Sequence, residues 1–512
     1  MFGNPVKTIK NKAKDRAFVS SRPFASPSRA RRGAGSIVAG AIVLASLCVA
    51  GCAPLPAMSP AAQPKSESSY QSSASFAAPS GEWPQKAWWG RYKDPQLGVL
   101  IEEGLRDAPS VAVAQARLDR SYGQLGEQRS ALFPSVAGNG SLASQKQSYN
   151  NGVPAEFVPQ GWNGTGQATL NFSYEIDFWG KNRAALAAAT SQAEAAEADA
   201  AQARVMLSTS IADAYGELAR LCAQEDTAKA ALDVRRKNAE LFAERQANGL
   251  ETLGSVKQAQ SRQASSAANL MAIEESIALQ KNRLAALMGE GPDRGLRVER
   301  PSPQALDAFG LPASIPLNLI GRRPDVLAAK LRAQAAEKSV KAAKADFYPN
   351  VDLTAFIGVE SLGISNLFRS GSGIGSVGPA ISLPIFNAGR IQGQYRVAQA
   401  DANEAVANYD QAVTQALHEV ADAAVSERAL EPQIKMSQES VDEASDAYDS
   451  AKSRYTGGLS NYLAVLAAED TLLDSRRSLA DLQSKRFSLD VALVKALGGG
   501  FDDPSASVAH EP

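Results

Sequence analysis

The chain has 512 residues, 44% of them hydrophobic, which suits a folded protein with a sizeable core and excludes disorder throughout. A formal net charge of −1 carries no electrostatic footprint for nucleic acid, so no nucleic-acid partner is expected. Two histidines (His418, His510) and three cysteines (Cys48, Cys52, Cys222), none at metal-ligand spacing, leave no material for a metal or Cys/His centre; no cofactor, metal site or enzymatic activity is expected.

Basic residues from Lys7 to Arg32 precede an uncharged run from Ile37 to Ala50, too short to span a bilayer but sized for a signal-peptide core. The run ends in Val49-Ala50-Gly51-Cys52, which resembles the bacterial lipobox. That motif implies a signal peptide over residues 1–51 and a lipid on Cys52 as the first mature residue; the competing reading is an ordinary secreted protein cut after small residues. Ala53 stands where an aspartate would retain a lipoprotein in the inner membrane, so the lipid is expected in the outer membrane. Residues 52–87 are rich in Ser, Ala, Pro and Gln and read as a flexible tether.

Trp88-Trp89 and Asp94-Pro95 open the ordered body. Helical periodicity follows from Gln96 to about Leu132, interrupted by Pro109 and ended by Phe133-Pro134. The period then changes. Ala168, Leu170, Phe172, Tyr174, Ile176 and Phe178 alternate without exception with Gln167, Thr169, Asn171, Ser173, Glu175 and Asp177, which predicts a strand over about 166–178; 135–145 alternates more weakly and is its hairpin partner. Strands over about 350–360 and 376–386 repeat the arrangement, giving four strands whose length of about 9–11 residues matches a tilted membrane-crossing strand. A soluble half-buried sheet alternates in the same way.

Long helices follow each strand pair. Arg183 to Gln246 holds no proline and one glycine, Gly216, and as a helix would extend on the order of 95 Å. After Asn248-Gly249 a second run reaches Met288, and its copy runs from Leu459 to Leu497, so two antiparallel helical hairpins with glycine turns are expected. Pro432 stands where the first copy has Ala223 and predicts a break in the second long helix.

The chain is in fact written twice. Gly180 and Gly389, Arg245 and Arg454, Gly249 and Gly458, Leu250 and Leu459, and Gly289 and Gly498 are all 209 apart, while Pro109 and Pro324, and Phe133-Pro134 and Tyr348-Pro349, are 215 apart. The halves are residues 88–300 and 301–500, with 501–512 a flexible tail, and the six extra residues of the first lie between Pro134 and Gly180. Membrane strands exist only in closed barrels of about eight strands or more, so four strands from one chain must be completed by other copies. Three copies supply twelve strands and twelve helical segments; a dimer with eight is the competitor.

The lipobox, Trp88-Trp89 with Asp94-Pro95, Arg322-Arg323-Pro324-Asp325-Val326, Phe386-Asn387-Ala388-Gly389-Arg390, and Arg454 to Leu463 together resemble the outer-membrane efflux proteins of the TolC type, in the NodT-like lipoprotein branch. The resemblance implies a mostly α fold with membrane β: a homotrimer with a twelve-stranded outer-membrane barrel and an α-helical barrel in the periplasm. It implies a passive exit duct for drugs or toxic compounds, partnered by a periplasmic membrane-fusion adaptor and an inner-membrane pump of the resistance-nodulation-division type. The tips that meet the adaptor correspond to Arg245, Gly249, Leu250, Arg454, Gly458 and Leu459, whose glycines also supply the turn any helical hairpin needs. The gate positions correspond to Ser255, Ser460 and Ala464, which cannot form ion pairs, so Tyr455, Tyr462 and packing are expected to do more of the closing than a charged lock. Competing readings are an exit duct for secreted proteins and a lipid-anchored periplasmic coiled-coil scaffold without a pore.

A Cys52→Ser variant is expected to lose incorporation of radiolabelled acyl chain. Mass spectrometry of the mature protein that finds an unmodified amino terminus at another residue would contradict the assignment.

Overall fold

The structure, a computed structural model, describes residues 62–66, 69, 70, 76, 80–150, 152–301, 311, 312 and 321–502. Cys52 lies outside them. In chain order the elements are β1 (Ser80–Gly81), a 3-10 turn (Trp88–Tyr92), α1 (Pro95–Asp107), α2 (Pro109–Ser130), β2 (Ser135–Gln145), β3 (Asn163–Glu175), α3 (Lys181–Ala247), α4 (Leu253–Met288), α5 (Pro292–Leu296), β4 (Leu311–Pro312), α6 (Pro324–Ala345), β5 (Asn350–Leu362), β6 (Gly373–Ser382), α7 (Arg390–Thr456) and α8 (Tyr462–Ala496). No helix among the described residues is long and apolar enough to cross a membrane.

Local chemistry sets these boundaries. Asp94 caps α1 by accepting from the backbone N–H groups of Gln96 and Leu97, and its other oxygen accepts from the Tyr215 hydroxyl at 2.7 Å, which ties α1 to α3. Pro109 and Pro324 occupy the first positions of α2 and α6, where a missing N–H is harmless. The 67-residue helices α3 and α7 each span about 100 Å. Each packs along two shorter helices of its own half, α2 and α4 for α3, α6 and α8 for α7.

The glycines 209 apart explain how those shorter helices meet end to end. Gly289 and Gly498 close α4 and α8 with φ of 80° and 89°. A Cβ on Gly289 would lie 2.6 Å from Pro109 Cδ, and one on Gly498 would lie 1.9 Å from the carbonyl oxygen of Arg322. The same joint is therefore made twice, and only glycine fits it. In the second copy Arg323 fastens the joint: buried, it donates to Asp325 and to Glu419 at 2.7 Å and to the carbonyl of Ala496 at 3.0 Å.

The largest core gathers Trp88, Tyr92, Leu97 and Ile101 against Ile211 and Leu218 of α3, Leu284 and Met288 of α4, and Val491 and Val494 of α8. Each such side chain contributes about 1.5–3 kcal/mol by leaving water. Gly216 lets α3 approach α8 closely, since a Cβ there would strike the Phe487 ring at 2.5 Å. Packing between the halves is one-sided. α3 contacts α6 and α8, whereas α7 makes no comparable contact with α2 or α4 among the described residues.

Three expectations need correction. β3 starts at Asn163 and stops at Glu175, because Asp177 turns to accept from the backbone N–H of Arg183 at 2.9 Å and Trp179 stacks on Tyr348; β6 likewise covers Gly373–Ser382 and ends before Pro384, which has no N–H for a ladder. α7 is unbroken at Pro432. That residue is exposed, on the side of the helix that faces water. Finally, parts of the expected tether are attached: the backbone N–H groups of Ala62 and Lys65 donate to Asn403 and Asp410, Phe76 and Trp83 pack on the cluster of Val420, Leu493 and Leu497, and β1 pairs in parallel with β4. Composition missed these contacts because the partners come from β4, α7 and the C-terminal end of α8, far along the sequence.

Candidate functional site

The four long strands form one antiparallel sheet in the order β2-β3-β5-β6, so β2 and β6 are its edges. The register aligns Gly138, Leu170, Ile357 and Gly375 in one row and Ser141, Gln167 and Glu360 in another. Period two then gives the sheet one apolar and one polar face. Val136, Leu142, Leu170, Ile357, Val377 and Ile381 on the apolar face are each more than half exposed. The other face carries Asn139, Ser141, Gln167, Thr169, Asn171, Thr354 and Glu360. Strands of 10 to 13 residues suit a tilted crossing of a hydrocarbon layer about 30 Å thick. Exposed aromatics sit at both ends: Phe133, Phe178, Trp179 and Phe386 beside the helices, and Phe157, Trp162 and Phe368 in the β2–β3 and β5–β6 connections. An apolar band between two aromatic girdles is the surface a membrane barrel presents to lipid.

At the opposite ends of α3 and α7 are the two helix-turn tips. Each turn is a Schellman motif: Leu250 N donates to the Arg245 carbonyl and Leu459 N to the Arg454 carbonyl, both at 2.8 Å, with Gly249 and Gly458 both at φ 75°. The helices that follow are capped in the same way, Thr252 accepting from Ser255 N and Asn461 from Ala464 N. Ser255 and Ala464 therefore act first as capped N3 positions. Leu250, Leu253, Leu459 and Leu463 are all more than 60% exposed, and Arg454 is exposed, so the tips present an apolar rim with a cation.

The tips are not equivalent in their surroundings. Phe242 of α3 is fully buried, with Tyr462 of α8 at 3.9 Å between ring centroids and Tyr455 of α7 stacked at 6.0 Å. Arg245 lies 5.0 Å from the Tyr455 ring, whose hydroxyl donates to Glu251. Burial pushes the Tyr455 and Tyr462 phenols up, so both stay neutral. The Ser460 hydroxyl is buried without a hydrogen-bond partner among the described residues.

One to two turns further along α8, four helices meet in a charged cluster. Arg235 of α3 pairs with Glu469 at 3.2 Å and with Asp470 at 2.7 Å, Arg262 of α4 pairs with Asp470 at 2.9 Å, and Asn238 donates to Glu469 at 2.9 Å, with Tyr448 of α7 alongside. Glu469 is 3% exposed, and burial pushes its carboxyl up from the ordinary carboxylate range even with Arg235 beside it.

The structure thus brings Arg245, Tyr455 and Tyr462 together, leaves Arg454 and Leu459 on the surface, and keeps Gly249 and Gly458 as turns. Sequence reasoning missed Arg235, Asn238, Arg262, Glu469 and Asp470, because it considered ion pairs only at the gate positions Ser255, Ser460 and Ala464, whose side chains carry no charge. A signal was present: at the 209 offset Arg235 corresponds to Ala444, Glu469 to Gln260 and Asp470 to Ser261, charges found in one copy alone.

Residues 100–290 and 315–499 match the sequence profile of a family described as Outer membrane efflux protein. The chain is 35% identical over 371 residues to the fusaric acid resistance protein FusA of Burkholderia cepacia, covering 70% of this chain and 69% of that one. It is 30% identical over 424 residues to the toluene efflux pump outer membrane protein TtgF of Pseudomonas putida, covering 82% and 86%. Among solved structures, the outer membrane protein VceC of Vibrio cholerae superposes with a TM-score of 0.78 at 48% identity, covering 82% of this chain and all of that one.

Replacing Arg235 with alanine strands a nearly buried carboxylate, which costs about 3–5 kcal/mol when a buried pair loses one partner. Hydrogen exchange at the lower ends of α3 and α8 should accelerate in Arg235→Ala and recover in part in Arg235→Ala, Glu469→Gln. Unchanged protection in the single variant would show that the cluster does not hold these helices together.

Proposed function

The chain belongs to the outer membrane efflux protein family, and on that premise we propose that three copies close head to tail into one passive duct carrying small toxic compounds from the periplasm to the outside. The observation that carries this reading is the four-stranded sheet with a lipid-suited face and two free edges. Backbone groups at an edge in hydrocarbon need partners, and four strands are too few to close. Three times four gives a barrel of twelve strands; a dimer of eight would pair them with a ring of helices too narrow for a wide lumen.

The duplication supports the closure. Within the chain, β3 of the first half pairs with β5 of the second, Leu170 facing Ile357. Moving β3 forward by 209 and β5 back by 215 gives the corresponding pair between copies, β6 with β2, in which Pro379 faces Leu142 and Ile381 faces Gly140. All four lie on the lipid side, so faces and register agree. Likewise the α3–α8 contact corresponds to α7 of one copy against α4 of the next, which would cover Met271 and Leu279 of α4 and Val425 and Met436 of α7, all now exposed.

The polar sheet face would line a wet lumen. The rim of Leu250, Leu253, Leu459, Leu463 and Arg454 would receive a helical adaptor, and a resistance-nodulation-division pump in the inner membrane would supply the energy. Tyr455 and Tyr462, with Ser255, Ser460 and Ala464 nearby, mark the region that closes the periplasmic end. The relatives named for fusaric acid, toluene and multidrug resistance favour small, largely apolar cargo. Lipid on Cys52 fits the attached segment: Ala62 binds Asn403, 13 residues or about 20 Å along α7 from its membrane end, and the 10 residues from Cys52 to Ala62 reach up to about 33–36 Å.

Arg454→Glu tests the docking rim, because Arg454 is exposed whereas Arg245 is engaged with Tyr455. The variant should lose adaptor crosslinking and drug resistance at normal outer-membrane levels. Unchanged crosslinking would refute the rim assignment; purified protein silent in planar bilayers even with its tips removed would refute the duct.

A further inference from the structure

At one level of the two long helices the halves share a core but not its cover. Ile211, Leu284 and Met288 of the first half correspond, 209 residues on, to Val420, Leu493 and Leu497 of the second, and all six are at most 1% exposed. In the first half α1 closes this core with Leu97 and Ile101. The 215 offset, carried upstream from Pro109 and Pro324, puts Pro312 and Pro316 at those two positions. A proline inside a helix removes an N–H and clashes with the carbonyl four residues back, here that of Pro312, so α1 has no full counterpart in the second half.

The cover of the second core comes from the other end of the chain. Phe76 and Trp83 pack on Val420, Leu493 and Leu497, and Tyr70 packs on Val326, Tyr409, Val413 and Ala416. β1 pairs with β4 so that Gly81 faces Pro312, the position of Leu97. The Arg322 guanidinium lies 5.0 Å from the Trp83 ring, and the Lys65 backbone N–H and the Tyr70 hydroxyl both donate to Asp410. These partners are absent from the first half, where Arg322 corresponds to Asp107, Asp410 to Ala201 and Tyr409 to Ala200. Gly500 allows the chain beyond α8 to close over the same segment, since a Cβ there would lie 2.1 Å from the Gln85 carbonyl oxygen; its counterpart Gly291 has nothing within 4 Å.

We propose that residues 62–86 are a strap that binds the groove between α7 and α8 in the place α1 takes on the first half, and that the second half is complete only with this groove filled. Its occupant is this one segment of the chain, with Tyr70, Phe76 and Trp83 as anchors. Left open, the groove would return Val420, Leu493 and Leu497 to water. The strap also joins Cys52 to the body, so an anchor at the amino terminus is coupled to the packing of α7 against α8.

The test separates the strap from a chain that has already folded. A site for a sequence-specific protease is inserted between Lys86 and Ala87, both exposed, and cut in the purified protein. The cut strap should stay bound through size-exclusion chromatography in detergent. An excess of a labelled peptide of residues 62–86 should replace it, whereas the same peptide with Phe76→Ala and Trp83→Ala should not. In the uncut chain, Phe76→Ala with Trp83→Ala should speed hydrogen exchange at Val420 and Leu493 to Leu497, and leave Ile211 and Leu284 to Met288, which α1 covers, at the parent rate. A strap that leaves on cutting while exchange at α7 and α8 stays unchanged would overturn the proposal. So would equal competition by the double-alanine peptide, or equal acceleration in both halves.

Discussion

A sheet edge surrounded by hydrocarbon has no water to satisfy its N–H and C=O groups, and this one requirement organises the whole chain. The edges β2 and β6 must be paired, a four-stranded sheet is too small to pair them with each other, and so the chain is a segment of a larger ring. The helices follow the same pattern: among the described residues α7 makes no contact with α2 or α4 comparable to those α3 makes with α6 and α8. Sheet and helices therefore ask for the same thing, another copy placed in the same direction around an axis.

Duplication simplifies that placement, because both halves are built on the same joints, and under the proposed closure the contact between halves would recur between chains. Gly289 and Gly498 make the same end-to-end helix junction, and Gly249 and Gly458 the same turn, down to the hydrogen bond of the following leucine. Where the copies diverge, the departure is informative. The ion pairs of Arg235 with Glu469 and Asp470 join the two halves within the chain, and at the 209 offset Ala444, Gln260 and Ser261 stand in their place.

Much of this was legible in the residues. Alternation from Gln167 onward revealed a strand because period two is written directly in polarity, and the glycine turns were visible because positive φ selects glycine. Strand ends were not, since Ile176 and Phe178 keep the alternation while Asp177 and Trp179 have already turned to partners at Arg183 and Tyr348. Pro432 misled because propensity ignores which side of a helix faces water. The charged cluster escaped because its members come from α3, α4 and α8, and only folding brings Arg235, Arg262 and Glu469 within reach of one another. Its trace in sequence was a failure of the repeat.

The most direct test of head-to-tail closure is to crosslink the sheet edges in intact outer membranes. With Ser144→Cys on β2 and Val377→Cys on β6, facing positions if the repeat governs the seam between chains, a short thiol-reactive linker should give adducts of two and three chains and none larger. Adducts that stop at two chains, or efficient linking only when Val377→Cys is combined with a β2 position shifted along the strand, would contradict the account.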